Sequence, residues 1–144
     1  MNTQQMIATH PDVRGRFDAA LVECIDACHA CAQACIACAD ACVAEASVGE
    51  LRQCIRLDLD CADICLATAA LASRRTGSNE DVLGMALELC QVACAMCGTE
   101  CERHANMHEH CRVCAEVCRI CEEACRAAVQ SVGADSNVGA AERH

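Results

Sequence analysis

The chain has 144 residues, of which 54% are apolar and 18 are cysteine, and it carries a formal net charge of −10. Its length suits a single domain, and the acidic balance excludes a nucleic-acid backbone as partner, because neutralising phosphates needs a basic surface. Phe17 is the only aromatic residue, with Trp and Tyr absent, so a conventional core of large side chains would be thin.

No hydrophobic run is expected to reach the length of a membrane span. The segment Met1 to Asp12 is polar and lacks the basic and apolar regions of a secretion signal. The expected location is therefore the cytosol, where thiols are kept reduced. In that setting the cysteines read as metal ligands rather than as a disulfide framework.

The first predicted element, helix A, covers about 11–47. Thr9 is its candidate N-cap, Pro11 suits its first turn and Asp12 favours the positive end of its dipole. It carries Cys24, Cys28, Cys31, Cys35, Cys38 and Cys42, and Val48-Gly49 ends it. Helix B, about 50–73, carries Cys54, Cys61 and Cys65. The segment Arg74 to Asn79 is the clearest loop, with Ser78 and Asp81 resembling a capping box without its Glu. Helix C, about 79–104, carries Cys90, Cys94, Cys97 and Cys101. After a turn near Ala105-Asn106, helix D covers about 108–131 with Cys111, Cys114, Cys118, Cys121 and Cys125. The remainder, 133–144, has no periodicity and is expected to be a flexible tail.

Four helices with short connections predict an all-α fold, an antiparallel up-down-up-down four-helix bundle over residues 1–132. Spacings that alternate between four and three are the seam of a helix facing such a core, where Leu, Ile and Val normally sit. Here sulfur takes those positions. The cysteines of helix A alone span about 27 Å at ~1.5 Å per residue, so the predicted core is a tube lined with thiols. Ala27, Ala30, Ala34, Ala37 and Ala41 flank that seam, where small side chains let helices approach and favour helix.

Extending each seam gives the tube two unlike ends. Phe17, Leu21, Thr68, Leu71, Ala72, Leu83, Leu87, Ala128 and Val132 should meet at one end as an aliphatic plug. The other end gathers Cys42, Glu45, Cys54, Asp58, Cys101, His104, Met107, His108, His110 and Cys111, and reads as the mouth. Asp58 fills the slot midway between Cys54 and Cys61 where the pattern calls for another cysteine. It either ligates at the entrance, attracts cations there, or sits at a wet bundle end without a role; a buried unpaired carboxylate is costly, which favours a function. His104, His108 and His110 read either as ligands or as a solvated turn. Met107 is more commonly apolar surface than a thioether ligand.

Pairs such as Cys24/Cys28 or Cys61/Cys65 place two sulfurs one helical turn apart on one face. A soft ion of low coordination number can bridge such a pair, or sulfurs from two helices, and Cu(I) is the thiolate-selecting candidate. Thiolates cannot sit unpaired in a dry core, so the empty protein should hold thiols and release protons on loading. One Cu(I) per thiolate leaves the core neutral. An isolated zinc with four thiolates would carry two negative charges in a low-dielectric tube, so zinc is disfavoured rather than excluded. Iron–sulfur motifs cluster their cysteines in loops and fit poorly. Nothing points to an enzyme: there is no nucleophile–base arrangement, phosphate loop or carboxylate pair at a cleft.

Cysteine ladders on all four helices make the stretch from about Asp12 to Ser131 resemble the bacterial copper storage proteins, in their cytosolic branch. The resemblance implies a homotetramer that stores many Cu(I) ions inside each bundle, with all eighteen cysteines as ligands. It also implies that the histidine-rich end is the way in, with a copper chaperone or copper enzyme as a partner. A second apolar stripe, Ile55, Leu59, Ala62 and Leu66 with Val82, Met85, Leu89, Val92 and Met96, is a candidate oligomer face. Two other functions compete with storage: a thiol-based redox or metal sensor using few cysteines, and a metallothionein-like Zn(II) or Cd(II) buffer.

Overall fold

A computed structural model describes residues 2–142, with side chains to residue 133. Its long helices are α2 (Ala19–Ala44), α3 (Arg52–Ser73), α4 (Glu80–His104) and α5 (Glu109–Glu142), preceded by a short α1 (Thr3–Ala8). Each long helix packs on its chain neighbour, α5 closes back onto α2, and α1 lies against α2. The result is the expected antiparallel bundle, and no strand occurs among the described residues.

The start of the first long helix differs from the sequence expectation. Arg14 (φ 53°) and Gly15 (φ 78°) both adopt the left-handed region, which no helix interior accommodates. The chain therefore turns between Thr9 and Phe17 and begins α2 only at Ala19. Asp18, not Thr9, caps it by accepting a hydrogen bond from the Leu21 amide at 3.2 Å. Thr9 instead ends α1, and Pro11 lies in the turn. At the other end α2 stops at Ala44, because Glu45 is extended, and a 3₁₀ turn (Val48–Glu50) leads to α3. Asn79 takes the cap position of α4, yet its side chain donates to the Leu71 carbonyl, so the Ser78/Asp81 box is not formed as a cap. The backbone of α5 stays helical beyond Ser131 to Glu142, with no proline to stop it. The expected tail 133–144 thus continues α5 through residue 142, and 143–144 lie outside the described residues.

All eighteen cysteines are buried and free. The small residues that let the helices close around them are Ala32, Ala39, Ala62, Ala69, Ala72, Ala115 and Ala128, each at most 4% exposed. Of the predicted flanking set only Ala27 is buried, whereas Ala30 and Ala37 face outward. The plug forms as expected: Leu21, Leu83, Leu87, Thr68, Ala72 and Ala128 are buried, joined by Ile7, Val22 and Ile25, while Phe17, Leu71 and Val132 pack partly buried beside them. Contrary to the expectation of no span-length run, α2 and α4 are long and apolar enough to pass for one. Much of that apolarity is cysteine and alanine, and the cysteines face the bundle interior.

Candidate metal centre

Because α2, α3, α4 and α5 each turn a cysteine face inward, their sulfurs meet as a continuous network rather than as separate sites. From the plug inward, Cys24 lies 3.7 Å from Cys125, and Cys28 lies 3.8 Å from both Cys90 and Cys121. Cys65 is 3.7 Å from Cys90 and Cys61 is 3.7 Å from Cys94. Further along, Cys31 and Cys35 both reach Cys118, at 3.8 and 3.7 Å, and Cys35 also reaches Cys97 and Cys114.

Sulfurs in several sets of four all lie within 4.8 Å of one another: Cys28/Cys90/Cys121/Cys125, Cys31/Cys65/Cys94/Cys121, Cys31/Cys35/Cys61/Cys118, Cys35/Cys97/Cys114/Cys118 and Cys38/Cys42/Cys54/Cys111. The first four sets share corners through Cys121, Cys31, Cys35 and Cys118. With metal–sulfur bonds of about 2.3 Å an ion can join sulfurs up to about 4.6 Å apart, so neighbouring rungs admit ions with little helix movement. Shared corners favour bridging thiolates and monovalent ions. Isolated four-thiolate zinc sites would need the sets to be separate, and each would leave two uncompensated charges in a dry core.

The buried thiols hydrogen-bond to one another and so shift one another's acidity. Hydrogen bonds from Cys125 and then Cys28 draw the Cys24 thiol down to about 5, while contacts with Cys121 and then Cys125 push Cys28 up. Near the mouth, burial raises Cys42 to about 11 and also raises Cys111, the charge of Cys54 adding to both. An ion bound by these thiols must displace their protons.

Asp58 is not at the entrance. It is 0% exposed, inside the tube, one turn deeper than Cys54. The thiols of Cys97 (3.1 Å), Cys114 (3.3 Å) and Cys101 (3.5 Å) donate to its Oδ1, and Cys54 lies 3.9 Å from Oδ2. Burial pushes its carboxyl up to about 8. Asp58 thereby joins the outermost set of four, through Cys54, to the inner ladder at Cys97 and Cys114.

The three mouth histidines separate in the structure. His110 Nδ1 lies 3.5 Å from Cys38 Sγ and 3.6 Å from Cys111 Sγ, so one imidazole faces the outer thiols. His108 does not touch sulfur: its Nδ1 is 2.7 Å from Glu45 Oε2 and its Nε2 is 3.5 Å from Ser47 Oγ. His104 turns instead to Glu100, at 3.2 Å. Met107 is 72% exposed. Sequence reasoning placed Glu45 at this end without a role and passed over Leu51, the 1% exposed residue that starts α3 beneath the mouth. The larger of the two aliphatic residues in the link Ser47–Arg52, Leu51 beside Val48, was the available signal.

Residues 18–130 match the family described as Csp, copper storage protein. The structure of the copper storage protein Ccsp from Streptomyces lividans loaded with 10 copper equivalents superposes with a TM-score of 0.82 at 54% identity, covering 86% of this chain and 95% of that one. The Cu(I)-bound copper storage protein BsCsp3 superposes with a TM-score of 0.64 at 41% identity, over 72% of this chain and 92% of that one. The uncharacterised cysteine-rich protein YhjQ of Bacillus subtilis is 41% identical over 92 residues, 64% of this chain and 80% of its own length.

Proposed function

This chain belongs to the copper storage protein family, and we propose that it loads Cu(I) from the histidine end inward, through Asp58, into the sulfur ladder. It is a Cu(I) store and not an enzyme, holding many ions per chain in clusters of core cysteines, in the cytosol like the Streptomyces lividans protein. The observation that carries the mechanism is the sharing of corners between sets of buried thiols. A shared thiolate that bridges two Cu(I) ions lets the core approach neutrality at one ion per cysteine, so capacity is limited by sulfur count rather than by accumulated charge.

All eighteen cysteines act as ligands in this reading. His110, whose Nδ1 faces Cys38 and Cys111, completes the outermost set with nitrogen, and Asp58 offers oxygen at the step between outer and inner thiols. His104 and His108 line the approach without touching sulfur. Met107 stays a surface residue, since an ion there would have one thioether and water. The protein assembles as a homotetramer through its exposed apolar stripe. Leu59, Leu66, Val82, Met85, Leu89, Val92 and Met96 are each at least 44% exposed, while Ala62 turns inward and Ile55 is only partly exposed.

Anaerobic titration of the fully reduced apo protein with Cu(I) against a chromophoric chelator tests the storage mechanism. Uptake near eighteen ions per chain is expected; saturation at one to four would return the sensor and zinc readings to the front. Light scattering at micromolar concentration tests the tetramer separately, and a monomer would overturn that part alone.

A further inference from the structure

The mouth contains one carboxylate placed between two imidazoles. Glu45 closes α2 in an extended conformation, which sends its side chain across to the start of α5. Its Oε2 lies 2.7 Å from His108 Nδ1, and its Oε1 lies 3.8 Å from His110 Nε2. The two rings stack with centroids 5.4 Å apart and planes 20° apart. His110 Nε2 is buried and has no hydrogen-bond partner.

We propose that Glu45 is a positioning residue that sets the tautomers of both mouth histidines, so that each ring presents a lone pair where an incoming Cu(I) ion needs one. The inference rests on the reading that copper passes the histidine end. A neutral imidazole carries one N–H and one lone pair, and the partner of one nitrogen decides the state of the other. At His108 the carboxylate accepts from Nδ1–H, which leaves the lone pair on Nε2, the atom turned toward Ser47. At His110 the same carboxylate faces Nε2, which leaves the lone pair on Nδ1, the atom turned toward Cys38 and Cys111. One side chain thus gives two stacked rings opposite tautomers. A metal-bound imidazole commonly donates its second N–H to a carboxylate. The orphaned His110 nitrogen, 3.8 Å from Glu45, would acquire that partner as the ring turns onto an ion.

The alternative for His110 is a proton on Nδ1. That tautomer aims an N–H at the thiols, blocks the nitrogen from copper and leaves an unused lone pair beside Glu45. Orientation by a carboxylate is worth about 10- to 100-fold in affinity or activity at other metal–histidine sites, and that sets the expected scale here.

The test uses the full chain with Glu45→Gln, which keeps the shape and one acceptor oxygen, and Glu45→Ala, which keeps neither. In reduced, metal-free protein, ¹⁵N spectra of the ring nitrogens should show Nδ1–H at His108 and Nε2–H at His110 in the wild type. In Glu45→Ala both preferences should be lost. In Glu45→Gln the His110 preference should be lost. Stopped-flow uptake of the first Cu(I) equivalent should slow about tenfold in Glu45→Ala, with total capacity and apo helicity unchanged. Unaltered tautomers in Glu45→Ala would overturn the proposal, even with slower uptake, because Glu45 would then act only as a charge. Wild-type loading rates in a His108→Ala/His110→Ala protein would instead sink the histidine end as the route, which is a separable failure.

Discussion

The two ends of the bundle differ in what their buried groups are satisfied by. At the plug, Leu21, Leu83, Leu87, Ile25 and Thr68 are at most 3% exposed and pack against one another. At the mouth, the corresponding positions hold Cys42, Cys54, Cys101 and Cys111, backed by a carboxylate and an imidazole that touch thiols. Among the described residues two buried side-chain polar atoms lack a partner, and each end has one. Arg75 at the plug borders a cavity of about 600 Å³ beneath α1, room enough for water to serve it. At the mouth the unpartnered atom is His110 Nε2, 3.8 Å from Glu45 Oε1, while Nδ1 of the same ring faces sulfur. Aliphatic packing is therefore concentrated at the plug, while thiols line the length of the tube and the imidazole that meets them lies toward the mouth.

The sharpest way to break that contrast is at Leu87, which is 0% exposed and does not border the cavity. Leu87→Ala should cost the apo protein about 3 kcal/mol, measured by denaturant unfolding under reducing conditions. Its Cu(I) capacity should not change. Faster copper uptake in this variant would mean that the plug end also admits ions, and the contrast would fail.

Asp58 gives the next largest effect, with the opposite sign. Its folded carboxyl is pushed up to about 8 by burial, against about 3.9 for an unfolded Asp. Between those values the unfolded chain gives up a proton that the folded chain keeps. Apo stability should accordingly be unpenalised below about pH 4, fall as pH rises, and level off above about pH 8. Asp58→Asn should remove most of that slope and raise apo stability near pH 8 by about 2 kcal/mol. Equal pH profiles for the two proteins would show that Asp58 is solvated, which would put it back at the entrance.

The mouth histidines should move rates and leave stability nearly alone. Replacing His104, His108 and His110 by Ala should slow Cu(I) uptake and removal about tenfold, equivalent to about 1.4 kcal/mol of barrier. Apo unfolding should shift by less than about 1 kcal/mol. A lower capacity with unchanged rates would make them ligands only, and unchanged rates and capacity would leave the mouth without chemistry.

What the sequence could say divides along the same line. The cysteine seams, the bundle and the plug follow from local periodicity, and Cys24 to Cys42 could be placed inward from spacing alone. Properties set across the bundle were not legible. The turn at Arg14-Gly15 that delays α2 depends on two left-handed residues, of which only the glycine advertises itself. Asp58 could be assigned a face, but its height in the tube depends on where α3 begins and on thiols from α4 and α5. That His110 and not His104 meets sulfur follows from how α5 starts opposite α2, and Glu45 gained its partners 63 and 65 residues along the chain, at a distance no motif records.

The smallest effect tests how lightly the mouth half is held from outside. Arg119 of α5 lies across Gly98 of α4 and bonds Glu102 (2.9 Å) and Thr99 (3.0 Å), and a Cβ on Gly98 would come within 3.2 Å of its guanidinium. The glycine lets this clamp lie flat, although glycine inside a helix costs about 1 kcal/mol relative to alanine. The obstructing atoms are the far end of a flexible side chain that is 38% exposed, and exposed ion pairs contribute about 0–1 kcal/mol. Gly98→Ala should therefore change apo stability by less than about 1 kcal/mol, with the helix gain offsetting the displaced clamp. A loss above about 2 kcal/mol would show that the α4–α5 clamp, and not the plug, carries much of the bundle's stability.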